Sequence, residues 1–146
     1  MNYPHLSIVL PARNEAASLT RLLPALRESF RDAEIIVVND GSKDETEKLC
    51  AACGVKVLTH PYSTGNGASV KSGARSAHGD ILVFMDADGQ HDPSDIPLLL
   101  ARLGEGYDMV VGARDEGSQA SLGRGLANGF YNRLASWMTG QKIEDL

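Results

Sequence analysis

The chain has 146 residues, enough for one domain with a substantial core and too few for two of ordinary size. Its net charge of −5 and the lack of any dense Lys/Arg run exclude a nucleic-acid backbone as partner. Apolar runs such as ILVFM (81–85) fall far short of membrane-spanning length, and MNYPHLSIVLP carries no signal-peptide pattern, so a cytoplasmic location is expected.

In chain order, short apolar runs alternate with segments of helical period. LSIVL (6–10) predicts the first strand, and Leu19, Leu22, Leu23, Leu26 and Phe30 then recur at helical spacing, with Pro24 expected to kink that helix. EIIVVN (34–39) predicts a second strand, and Ser42 with Glu45 forms a capping-box pair for a helix that ends at Gly54. VKVL (55–58) predicts a third strand, followed by a helix over 66–78 stopped by Gly79. DILVFMD (80–86) predicts a fourth strand, after which Ser94 is expected to cap a helix through Leu103. YDMVVGA (107–113) predicts a fifth strand, RDEGSQASLGRG (114–125) a flexible loop, and residues 122–139 a last helix striped by Leu122, Leu126, Phe130, Leu134 and Trp137.

The strands are apolar on both faces, as buried parallel strands are. The alternation predicts the α/β class: a doubly wound, mostly parallel sheet with helices on both faces, in one domain over 1–146. The chain stops at QKIEDL without an evident finishing element, so a longer protein is expected.

Cys50 and Cys53 precede the Gly54 helix stop, the wrong end of a helix for a redox dithiol, and no second pair completes a zinc site. They read as thiols on a helix face. His5, His60 and His78 read as surface residues, and His91 as loop structure beside an acidic cluster.

In an open parallel sheet, ligands bind outside the carboxyl ends of the strands. Four polar clusters directly follow predicted strands: PARNE (11–15), NDGSKDE (39–45), DADGQHD (86–92) and GARDE (112–116). They are expected to converge on one crevice. An EF-hand reading of the third cluster fails, because the sixth and twelfth positions from Asp86 hold His91 and Pro97 instead of Gly and Glu. Asp86 and Asp88 are two apart at a predicted strand end, where alternate residues share a side. Two carboxylates that close repel unless a cation lies between them, and Gln90 offers a third oxygen. So few ligands suit Mg²⁺ or Mn²⁺ shared with substrate phosphates; a polar turn is the alternative. In STGNGASVKSG (63–73), Val70 stands where a Walker A loop needs Gly. Gly65 and Gly67 permit close approach of a ligand and Lys71 could face a phosphate; a glycine-bearing turn into a helix is the equal alternative.

With LSIVLPARNEAASL, EIIVVNDGSKDET and GDILVFMDADGQHDP in view, the chain resembles a family 2 glycosyltransferase, most of all the dolichyl- or polyprenyl-phosphate mannosyl- and glucosyltransferase branch. The resemblance implies a GT-A fold and inverting transfer from a UDP- or GDP-sugar, with a lipid phosphate as acceptor. It implies that Pro11, Ala12, Asn14 and Glu15 line a nucleoside pocket, that Asp40 bonds the base, and that Asp86 lies near ribose and metal. Asp88 and Gln90 would bind Mg²⁺ or Mn²⁺ at the donor pyrophosphate, and Lys71, Arg114 and, more weakly, Arg124 would contact donor or phosphate. Asp86, Asp88 and Arg114 form the implied catalytic set. The family's acceptor-side segment, and often its membrane helices, would follow Leu146, so membrane association is expected from there. A transferase acting on a polysaccharide or glycan precursor, and a nucleotide-sugar-binding module without turnover, are the other readings.

Overall fold

The computed structural model describes residues 5–112, which fall into two compact units, one ending at Leu98 and one beginning at Leu99. The elements are β1 (Leu6–Ala12), α1 (Ala16–Ser29), β2 (Glu34–Asp40), α2 (Thr46–Ala52), β3 (Lys56–His60), α3 (Asn66–Ser76), β4 (Ile81–Phe84), a 3₁₀ turn (Pro93–Asp95) and α4 (Ile96–Leu103). The strands form one parallel sheet in the order β3-β2-β1-β4.

The two central strands are largely apolar on both faces and buried along nearly their whole length. Ile8 pairs with Ile35, Val9 with Ile36 and Leu10 with Val37, and each of these side chains is at most 1% exposed. Burial on this scale supplies about 1.5–3 kcal/mol per large side chain. From β1 the chain winds outward to β3 and then returns past β1 to β4, so right-handed crossovers put α1 and α2 on one face and α3 on the other. α3 packs on β1 and β2, over a cluster of Val9, Ile36 and Val38 joined by Leu58 and Ala77. α1 buries the expected stripe of Leu19, Leu22, Leu23 and Leu26, and exposed Pro24 sits within it without ending it.

Glu34 binds the amino ends of the strands together. It accepts from Ser7 Oγ (2.6 Å), Lys56 Nζ (3.2 Å) and both the backbone N–H (2.9 Å) and Nδ1 (2.9 Å) of His78. Burial opposes its ionisation, but those donors outweigh burial and lower its carboxyl to about 2.

Several local expectations are corrected. Ser42 and Glu45 form no capping box: Glu45 precedes α2 without a side-chain cap, and Ser42 is engaged by another loop. Asp92, not Ser94, caps the turn before α4, its carboxylate accepting from Ser94 N at 2.8 Å. β4 ends at Phe84, so Asp86 and Asp88 lie in a turn beyond the strand and the alternation argument does not apply to them. Residues 107–112 form no strand, and Met109 and Val111 are exposed. The predicted last helix lies outside the described residues, as do residues 113–116.

Candidate functional site

β1 passes without interruption into Pro11 and Ala12, after which Asn14 adopts a left-handed conformation (φ 58°), one that Asn tolerates better than most residues. The turn is held from outside. Asn14 N donates to Ser42 Oγ (2.9 Å), and Asn14 Oδ1 accepts from Lys43 N (2.8 Å). Glu15 N donates to Thr46 Oγ1 (3.1 Å) and Ala16 N to Asp44 Oδ2 (3.1 Å). Two of the N–H groups at the start of α1, those of Glu15 and Ala16, are thus satisfied by the loop after β2 rather than by a local cap.

At the end of β2, Asp40 is 5% exposed. Its Oδ1 accepts from His60 Nδ1 (2.8 Å), Thr64 N (2.8 Å) and Thr64 Oγ1 (2.9 Å); its Oδ2 accepts from Ser63 Oγ (2.7 Å) and Gly65 N (3.0 Å). Burial raises the carboxyl's pKa, and the donors from Thr64, His60, Ser63 and Gly65 reverse this and hold it far below the usual carboxylate range.

After β4, half-buried Asp86 gives its N–H to His91 Nδ1 (3.4 Å), and Asp88 Oδ1 accepts from Gln90 N (2.9 Å) across Gly89 (φ 78°). Asp88 Oδ2 has no hydrogen bond among the described residues.

These segments enclose a pocket of about 280 Å³ at the carboxyl edge of the sheet, where β1 and β4 diverge in connection. Pro11 and Ala12 line it from β1, Arg13 and Glu15 from the turn that follows, Asp40 from β2, and Asp86, Ala87 and Asp88 from the turn after β4. Ser63, Gly65, Asn66 and Ser69 form the remaining wall. Of the expected site residues, Pro11, Ala12, Glu15, Asp40, Asp86 and Asp88 come together here. Asn14 is exposed and builds the turn rather than the wall; Lys71 on α3 and Gln90 are exposed and outside the lining. Arg114 and Arg124 lie outside the described residues.

The sequence pattern does not flag Arg13, although its place inside PARNE was the available signal. It also treats the 63–73 segment as a separate phosphate-loop question and His60 as surface. His60 is in fact 17% exposed and spans Asp40 and Ser72 Oγ, the latter 3.0 Å from Nε2.

Arg13 is the sole cation in the described lining, against the carboxylates of Glu15, Asp40, Asp86 and Asp88. An anionic ligand entering here needs further positive charge. No group of three or more His, Cys, Asp or Glu side chains placed to hold a metal occurs among the described residues. Asp86 and Asp88 are the two carboxylates that the turn after β4 brings into this lining.

A pocket at the switch point of a doubly wound sheet is where α/β nucleotide-binding proteins hold their ligands. The chain belongs to glycosyl transferase family 2, whose family model matches residues 7–145. It is 37% identical to the undecaprenyl-phosphate 4-deoxy-4-formamido-L-arabinose transferase of Pseudomonas paraeruginosa over 95% of this chain and 44% of that protein. It is 32% identical to the enzyme of the same name from Klebsiella pneumoniae, over 99% of this chain and 48% of that one. The chain therefore spans about half the length of these curated relatives. Among solved structures it is similar to glucosyl-3-phosphoglycerate synthase from Mycobacterium tuberculosis in complex with Mn²⁺, UDP and glucosyl-3-phosphoglycerate. The TM-score is 0.60 at 31% identity, covering 68% of this chain and 39% of that one. The same enzyme has also been solved with Mg²⁺ and UDP, at a TM-score of 0.59 and 30% identity, covering 68% of this chain and 39% of that one. The expected family and GT-A fold are met.

Proposed function

We propose that this chain is the donor-binding part of a catalytic domain that moves a sugar, with inversion, from a nucleoside diphosphate sugar to a polyprenyl phosphate. The observation that carries the reading is the meeting of Asp86, Asp88 and Arg13 in one pocket at the sheet's switch point. Pro11, Ala12 and Glu15 provide the nucleoside side of that pocket. Asp88, whose Oδ2 has no hydrogen bond among the described residues, and Asp86 would hold Mg²⁺ or Mn²⁺, with Gln90 as a further ligand in this reading. Such an ion supplies Lewis-acid neutralisation of the departing diphosphate. Arg13 adds its guanidinium to the same charge, and Lys71, Arg114 and Arg124 are further phosphate contacts in this reading.

In the transfer, an acceptor phosphate oxygen forms a bond to the anomeric carbon while the bond from that carbon to the diphosphate oxygen breaks. The nucleoside diphosphate leaves with the electron pair. An ionised phosphate needs no strong base to attack. The names of the curated relatives support an undecaprenyl-type acceptor. Among the described residues no helix is long and apolar enough to cross a membrane, so in this reading attachment to the cytoplasmic membrane face comes from elsewhere in the protein. A second reading, transfer to a water-soluble phosphorylated acid, draws on the acceptor product in the structural neighbour.

Calorimetric titration with UDP and GDP, in Mn²⁺ and in EDTA, tests donor binding. Labelled nucleotide sugars offered with undecaprenyl phosphate or 3-phosphoglycerate then separate the two acceptors. Failure to bind either nucleotide in Mn²⁺ would overturn the reading.

A further inference from the structure

Two of the residues that line the pocket, Arg13 and Glu15, stand on either side of Asn14, whose left-handed backbone (φ 58°) lies at the turn from β1 into α1. A residue other than glycine keeps that conformation only where its surroundings over-determine it. Here the loop after β2 does so, and none of the residues that make the tie, Ser42, Lys43, Asp44 and Thr46, is part of the described lining. At its centre is Thr46, which is 0% exposed. Its hydroxyl gives its one proton to Asp44 Oδ1 (2.6 Å) and, with a lone pair, accepts the N–H of Glu15 (3.1 Å). Asp44 Oδ1 also accepts from Thr46 N (3.1 Å), and Oδ2 accepts from Ala16 N (3.1 Å). Burial opposes ionisation of this carboxyl, but the Thr46 hydroxyl and the N–H groups of Ala16 and Thr46 outweigh it and lower the pKa. Every role in the chain is fixed, because a backbone N–H can only donate and an ionised carboxylate can only accept.

We propose that Asp44 and Thr46 are positioning residues: by holding the backbone of Glu15 and Ala16 they fix where Arg13 and Glu15 stand in the pocket, and so set nucleotide affinity without touching the nucleotide. This rests on the donor-binding reading above. Removal of the Thr46 hydroxyl takes from Glu15 N–H its acceptor, beside a side chain that water does not reach, and the turn must shift to find another. Asp44→Asn keeps the shape of the carboxylate but not its chemistry. In either orientation the amide sets its NH₂ against a backbone N–H, that of Ala16 or that of Thr46.

The test is UDP affinity in Mn²⁺, by calorimetry. The variants are Thr46→Val, Thr46→Ser, Asp44→Asn, Arg13→Ala and the double change Thr46→Val with Arg13→Ala. Thr46→Val and Asp44→Asn should each weaken UDP about five- to tenfold. Thr46→Ser keeps the hydroxyl and should stay within about twofold of wild type. A packing role for Thr46 would reverse that order, since valine keeps the buried volume and serine loses a methyl group; serine binding UDP worse than valine would overturn the proposal. With Arg13 already changed to alanine, Thr46→Val should cost roughly half its usual fold-loss or less, because one of the side chains that it positions is gone. A full, independent loss in the double variant would overturn the proposal, as would wild-type UDP affinity in both Thr46→Val and Asp44→Asn. Asp44 is exposed, so where Thr46→Val folds poorly, wild-type affinity in Asp44→Asn is enough to overturn it. A wild-type chain that binds no UDP overturns the donor reading and this proposal with it, whereas variants that bind as well as a binding wild type overturn this proposal alone.

Discussion

Gly73 of α3 rests directly on Val9 of β1: a β-carbon at residue 73 would overlap Val9 Cγ1 and lie 3.1 Å from Val38 Cγ2. The helix approaches the sheet this closely only because residue 73 has no side chain. Gly73→Ala should therefore destabilise the protein by about 1–3 kcal/mol through overpacking, despite alanine's better helix propensity. Gly67→Ala on the same helix, where nothing lies within 4 Å, should leave stability equal or slightly higher. Thermal denaturation of the two variants side by side checks the contrast.

Acid sensitivity should follow Glu34. Its carboxyl ionises near 2 in the folded protein against about 4.5 for the free side chain, so its contribution is complete above about pH 4.5 and disappears as pH falls towards 2. With a quarter of the side chain exposed, the contribution is at most about 3 kcal/mol. Urea denaturation at pH 5, 4 and 3 should show a steeper loss for wild type than for Glu34→Gln. Parallel pH profiles would assign the acid loss to other groups.

Much of this fold is legible in the residues. Ile35 to Val38 read as a buried strand because both faces of β2 are covered, and the leucines of α1 read as a helix because one face is. The misreadings share a physical cause. Ser42 looks like a cap from its neighbours, yet its hydroxyl is taken by Asn14, 28 residues away. The 63–73 stretch reads as a possible ligand loop, but not as part of the same pocket, because Ser63 is tied to Asp40, more than 20 residues earlier. Short-range patterns encode elements, whereas a pocket wall is made by long-range hydrogen bonds with no sequence period.

Metal dependence should reside in Asp88, whose Oδ1 is held by Gln90 N while Oδ2 has no hydrogen bond among the described residues. Wild-type affinity for UDP should fall in EDTA. Asp88→Asn should weaken UDP in Mn²⁺ by about tenfold or more and should bind nearly alike with and without the ion. Retention of a full Mn²⁺ response in the variant would falsify the assignment.

Arg13 should distinguish phosphate from nucleoside. As the only cation in the described lining, it is expected to lose about 1.5–3 kcal/mol of UDP affinity on change to alanine. Uridine binding, measured by competition, should change far less. An equal loss for uridine and UDP would place the guanidinium against the nucleoside instead.

The reciprocal bonds between the turn at Asn14 and residues 42–46 bear on how this scaffold is inherited and re-engineered. Each segment caps or shapes the other, so neither is a separable cassette. Grafting PARNE from this chain onto a relative without its matching SKDET would leave the left-handed Asn14 and the first N–H groups of α1 without partners. Exchanges that succeed should carry both segments together. Diversification of ligand preference is correspondingly freer on the opposite wall, where Ser63 and Asn66 sit on an exposed segment.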